Sequence, residues 1–134
     1  MNYWLVKTEP ETYSWDNLVR DKKSGWDGVR NFQARNHLKA MKNGDLVFIY
    51  HSGDERSIMG IAKVVKEAYP EANDEAWVTV DLVPEKKIKN TISLAQIKAD
   101  KKLSDMVLVK ASRLSVQPVK QSEFEYIEAM SQKP

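Results

Sequence analysis

Apolar residues first gather at Asn2–Val6 (NYWLV), a run of strand length that gives way to polar residues at Lys7. Pro10 biases Glu9 toward extended geometry and marks the exit from that strand. Ser14 is placed to cap a short helix, SWDNLVRD, with Asp16 in its first turn. Lys22–Gly25 reads as a loop. Ala34, Leu38 and Met41 then fall at i, i+4 and i+7, one stripe of a helix that starts near Arg30 or Asn31. Asn43-Gly44 offers that helix a left-handed stop.

Leu46–His51 (LVFIYH) is apolar at successive positions, the pattern of a central strand buried on both faces. A turn at His51–Asp54 leads to a second strand, Ile58–Val65, in which Gly60 marks a bulge or a close approach. Ala68–Glu75 reads as a polar loop and Ala76–Val83 as a third long strand. Ser93 caps the short helix SLAQIKAD. Met106–Val109 and Leu114–Val119 read as short extended pieces, with Pro118 favouring an edge. Ser122 is placed to cap a last helix whose stripe is Phe124, Ile127 and Met130. Five or six short strands with interspersed short helices, and no βαβ rhythm, predict an α+β fold, a small mixed β-barrel. With no repeat or linker in its 134 residues, the chain reads as a single domain, 1–134.

Composition narrows the function classes. No apolar run approaches the roughly 18–20 residues that cross a bilayer, and the N-terminus does not read as a signal peptide. There is no cysteine, hence neither disulfide nor thiolate metal site, and the two histidines lack the spacing of a ligand pair. A soluble, intracellular (cytoplasmic), monomeric protein without metal or cofactor is the expectation. The net charge of +2 is too small for binding by bulk charge, so any nucleic-acid role must rest on a local pocket. Lys86, Lys87, Lys89, Lys101 and Lys102 read as solvated surface, with at most a weak pull on a polyanion.

Chemistry gathers elsewhere. His51, Ser52 and Asp54 invite a small-hydrolase reading, but adjacency in the chain rarely makes a base and its orienting acid converge, and no Gly-x-Ser-x-Gly elbow is present. The five glycines are scattered, so no phosphate-cradling loop forms. Of four tryptophans, Trp4, Trp15 and Trp77 read most simply as core. Trp26 has Gly25 and Gly28 close by and Asp27, Arg30 and Asn31 after it. An indole among hydrogen-bonding groups suits a planar ligand such as an unstacked base, although a packed indole explains it equally well. Arg30 and Asn31 fall where a helix start would favour an anion. Glu9 either accepts from an exocyclic amine, as carboxylates do from cytosine N4, or pairs with a nearby lysine.

Several separated stretches then carry a resemblance: YWLVKTEPETYSW, GWDGVRNFQARNHLKAMKNGDLVFIYHS, GIAKVVKEAYP and SRLSVQPV, in that order. From about Tyr3 to about Ile127 the chain resembles EVE domains, the thymocyte nuclear protein family and its bacterial relatives. The resemblance implies a PUA-like fold and a non-enzymatic module that binds nucleic acid carrying a modified base, cytosine-derived and in DNA above all, flipped into an aromatic-walled pocket. PUA-like domains that act on tRNA or rRNA supply the alternative. The residues implied for the base pocket are Trp26, Glu9, Asp27, Thr8, Ser52 and Tyr69. Those implied for phosphate and backbone are Arg30, Asn31, Arg35, Lys7 and Arg113.

Overall fold

The computed structural model describes residues 1–133. Six strands, β1 (Tyr3–Thr8), β2 (Ser24–Trp26), β3 (Leu46–His51), β4 (Ser57–Glu71), β5 (Asp74–Ser93) and β6 (Val116–Val119), form one sheet in the order β2-β5-β4-β3-β1-β6. β1 and β3 run parallel and every other pairing is antiparallel. Five helices accompany the sheet: α1 (Trp15–Asp21), α2 (Phe32–Ala40), α3 (Leu94–Ala99), α4 (Val107–Lys110) and α5 (Gln121–Ser131).

Side-chain alternation along the strands sends successive residues to opposite faces. In β1, Trp4 and Val6 enter one apolar cluster while Leu5 enters another; in β3, Val47 and Ile49 separate from Phe48 and Tyr50 in the same way. The first cluster is closed by Trp15 and Leu18 of α1 and by Ala34 and Leu38 of α2, with Met41 beyond it. The second is closed by Ile97 of α3, Leu108 of α4, and Phe124 and Ile127 of α5. The expected helical stripes are the buried ones, save that Met41 lies just past α2 and Met130 is only partly buried.

Two contacts fix the first cluster. Gly60 sits where the β4 register shifts, and a Cβ there would lie 2.5 Å from the Trp15 indole. The buried Asp45 carboxylate accepts from Trp4 Nε1 at 2.9 Å, Lys42 N at 3.0 Å and Asn2 N at 3.1 Å. Three donors satisfy a carboxylate that would otherwise be costly to bury.

Several local expectations differ from the structure. The sheet ends at β2 and β6 and is not closed, so "barrel" overstates it. Residues 24–26 are not loop but the edge strand β2, which needs no apolar alternation because it only extends the ladder of β5. The polar stretch after Ala68 is likewise strand, since β4 and β5 pair through Glu71 and Asp74 and satisfy each other's backbone. Residues 107–110 are helical despite their β-branched content, because burial of Leu108 overrides weak propensity. Helix α2 stops at Ala40 with an extended Met41, and Gly44 (φ +96°) belongs to the next turn. Ser122 does not cap α5 but lies inside it. The N-cap is Lys120, whose N–H donates to the Glu123 carboxylate at 3.0 Å. Trp77 is not core: it lies half-buried on β5, stacked on Phe32 with ring centroids 5.2 Å apart.

Candidate nucleic-acid interface

A cleft of about 400 Å³ opens where β1 ends and the chain turns from β2 toward α2. Lys7 and Thr8 come from β1, Thr12 and Tyr13 from the turn after it, Ser24–Trp26 from β2, Asp27–Arg30 from the loop that follows, and Ser115 from the approach to β6. The turn is built on Glu9, whose carbonyl accepts from Thr12 N at 3.0 Å and Tyr13 N at 2.9 Å. Thr8 Oγ1 donates to the Tyr13 carbonyl at 2.6 Å and ties this turn to the end of β1. Tyr13 meets Trp26 edge-on, with centroids 6.0 Å apart. Trp26 is only 8% exposed, so it is both a core residue and cleft lining. The two readings of this indole prove compatible.

The polar groups divide by engagement. Lys7 is half-buried; its ammonium donates to the Ser112 carbonyl and lies 5.7 Å from the Tyr50 ring centre, and burial lowers its pKa from the ordinary lysine value. Arg30 forms a bidentate pair with Glu71, at 2.8 and 2.9 Å, and its guanidinium stacks over Trp77 at 5.1 Å. The same Glu71 carboxylate accepts from the Gly28 N–H at 3.1 Å. Gly28 takes φ +78°, a conformation glycine adopts without strain, and the Glu71 clasp holds the loop there. The Arg30 hydrogen bonds, with smaller help from Gly28, lower the Glu71 pKa.

Of the expected site residues, the structure brings Lys7, Thr8, Trp26, Asp27 and Arg30 together in one cleft. Glu9 contributes its carbonyl to the turn while its side chain is exposed and outside the lining. Ser52 lies on the neighbouring strand end, donating from N to the Thr8 carbonyl at 2.9 Å. Tyr69 stands behind β2, where its hydroxyl lies near Gly25 and donates to Asp81 at 2.5 Å. Asn31 caps α2, accepting from Ala34 N at 2.9 Å. Arg35 donates to the Ala76 carbonyl at 3.0 Å and lies over Phe32 and Trp77. Arg113 lines a second cleft. His51 is buried, with Nε2 accepting from the Trp15 backbone N–H at 2.9 Å and Nδ1 3.3 Å from Glu55, an arrangement that leaves Nε2 no free lone pair for general-base chemistry. Sequence reasoning missed Tyr13, Val29 and Ser115 as lining, and Glu71 as the clasp. Tyr13 and Ser115 do lie within the family-like stretches quoted above, but Glu71 carries no local signal because its partners are more than forty residues away in the chain. Among the described residues, no group of three or more acidic or histidine side chains is placed to hold a metal ion, and no helix is long and apolar enough to cross a membrane.

The Tyr69–Asp81 pair yields a titration test. Its hydrogen bond to Asp81, together with burial, pushes the Tyr69 phenol up to about 12. Because the folded-state value lies above the ordinary one, the pair stabilises the fold below the normal tyrosine range and is lost as pH rises through about 12. Subtracting the ultraviolet phenolate titration of Tyr69→Phe from that of the parent should isolate one such late-ionising tyrosine. Asp81→Asn should return it toward 10; no change on that substitution would discard the pair as the cause.

A family model described as the EVE domain matches residues 2–130. The chain belongs to the EVE domain family. Thymocyte nuclear protein 1 from Homo sapiens is 35% identical, the match covering 98% of this chain and 75% of that protein. An NMR structure of a Rhodopseudomonas palustris protein matches at 44% identity and TM-score 0.93, covering 98% of this chain and 93% of the other. The crystal structure of human THYN1 in complex with 5-methylcytosine-containing DNA matches at 34% identity and TM-score 0.93, covering 100% of this chain and 99% of that one. The resemblance read from the sequence motifs is thereby borne out, and the six-stranded α+β architecture of this EVE domain is that of the PUA-like folds.

Proposed function

We propose that this EVE domain is a non-enzymatic reader that takes a modified cytosine of DNA into the cleft beside Trp26. The supporting observation is the cleft itself: an aromatic and aliphatic lining of Trp26, Tyr13 and Val29, joined by the polar residues Lys7, Asp27, Thr8, Thr12, Ser24 and Ser115. The relative crystallised with 5-methylcytosine DNA shares this fold throughout its length. Flipping a base costs a few kcal/mol. Contact with aromatic rings returns roughly 1–3 kcal/mol, so edge hydrogen bonds must supply the remainder. Cytosine presents its N4 donor beside the N3 and O2 acceptors, an order that a carboxylate and an ammonium can match; thymine carries acceptors at O4 and O2 around an N3–H donor and presents a different order. Burying a 5-methyl group is worth about 0.8 kcal/mol, a preference of about fourfold by the usual conversion.

The deciding experiment titrates the protein with matched DNA and RNA oligonucleotides, each carrying cytosine or 5-methylcytosine at one position. The expected order is modified DNA first, by about fourfold or more over plain DNA. Equal binding to modified and plain strands would overturn the reader assignment, and tighter binding to RNA of either kind would move the domain to the RNA-binding class.

A further inference from the structure

The cations around the cleft are not equally available. Arg30 is engaged by Glu71 and stacked on Trp77, and Arg35 is engaged by the Ala76 carbonyl and lies over Phe32 and Trp77. Arg113 differs: it is exposed and has no ion-pair or hydrogen-bond partner among the described residues. It lines a second cleft of about 360 Å³ with Asn31, Gln33, Ala111, Ser112 and Leu114. No carboxylate lines this cleft. Its walls continue those of the first, because Arg30 and Ser115 line one cleft and their neighbours Asn31 and Leu114 line the other. Lys7 marks the junction: it lines the first cleft and its ammonium bonds the Ser112 carbonyl of the second.

Building on the reader assignment, we infer that the second cleft is the subsite for the sugar–phosphate unit adjoining the flipped base, with Arg113 contacting the phosphate. Ala111 and Leu114 offer apolar surface to the sugar, and Asn31 and Gln33 offer amide donors. Asn31's side-chain oxygen already caps α2, so its N–H groups are the ones left for a ligand. Arg30 and Arg35 are positioning residues that hold the cleft wall rather than the strand. The charge count agrees for Arg30: an unpaired guanidinium in a cleft without carboxylates attracts a phosphodiester, while a guanidinium bonded bidentately to a carboxylate is already neutralised. Arg35, bonded to a backbone carbonyl, keeps its charge but lines neither cleft.

The test measures affinity for a 5-methylcytosine single strand and its plain counterpart over a series of salt concentrations. Arg113→Ala should weaken both strands by the same factor, leave their ratio unchanged, and make the plot of log affinity against log salt shallower by about 0.7. Arg113→Lys should restore the slope, and Arg35→Ala should leave it at the parent value. An unchanged slope in Arg113→Ala overturns the subsite, as does a slope lost equally in Arg35→Ala. The underlying reader assignment is checked separately by the modified-to-plain ratio of the parent protein: if the parent binds both strands equally, the reader assignment fails whatever Arg113 does, and if it discriminates while the Arg113→Ala slope is unchanged, only the subsite fails.

Discussion

Replacing Trp26 with alanine should cost the domain most of its preference for modified cytosine and much of its stability at once. The indole is 8% exposed and packs within the first apolar cluster, so truncation is expected to destabilise by about 3–5 kcal/mol. Loss of aromatic contact with the base should weaken modified-strand binding by about 1–3 kcal/mol, roughly 5- to 150-fold. Because the first effect can mask the second, Trp26→Phe is the companion variant. It keeps an apolar ring in the cluster and should lower the modified-to-plain ratio in a protein whose circular dichroism and denaturation midpoint stay close to the parent's. A folded Trp26→Phe domain with full discrimination would falsify the placement of the base against this ring.

Gly60→Ala should be nearly as damaging, though it touches no cleft residue. The added methyl would sit 2.5–2.6 Å from three ring atoms of Trp15. Trp15 is buried in the first cluster and bonded through its backbone N–H to His51. Neither side can yield easily, since β4 is paired on both edges and the indole is enclosed. Overpacking of this kind costs about 1–3 kcal/mol or more. Urea denaturation should show the loss as a lower midpoint at unchanged slope. A midpoint equal to the parent's would mean that Trp15 has room the structure does not show.

Much of this was legible in the sequence where one short-range rule governs. Ser14 and Ser93 announce helix starts through capping, and both accept from the third residue on, as the rule requires. Ala34 and Leu38 share one face of α2 because the helical period says so, and Met41, just past the helix end, is buried with them. Gly60 was readable as a close approach although its partner, Trp15, was not. What escaped depended on distant partners. β2 exists because β5 runs beside it, and residues 24–26 alone carry no strand pattern. Trp77 reads as core from its aliphatic neighbours, yet its place near the tip of the β4–β5 hairpin leaves it only half-buried against Phe32. Within the site, Trp26 was visible from its polar neighbours and Lys7 and Thr8 only through the family resemblance, but whether Arg30 is free could not be read without Glu71.

The division of the interior into two clusters has a practical consequence. Trp26 and Val29 belong to the cluster under α1 and α2, while α5 packs on the opposite face of the sheet. A dye or fusion partner attached at an exposed α5 position such as Ala129 therefore stands across the full thickness of the sheet from the cleft. The domain thus comes with a natural handle: one side can be immobilised or labelled while the other meets its strand unobstructed.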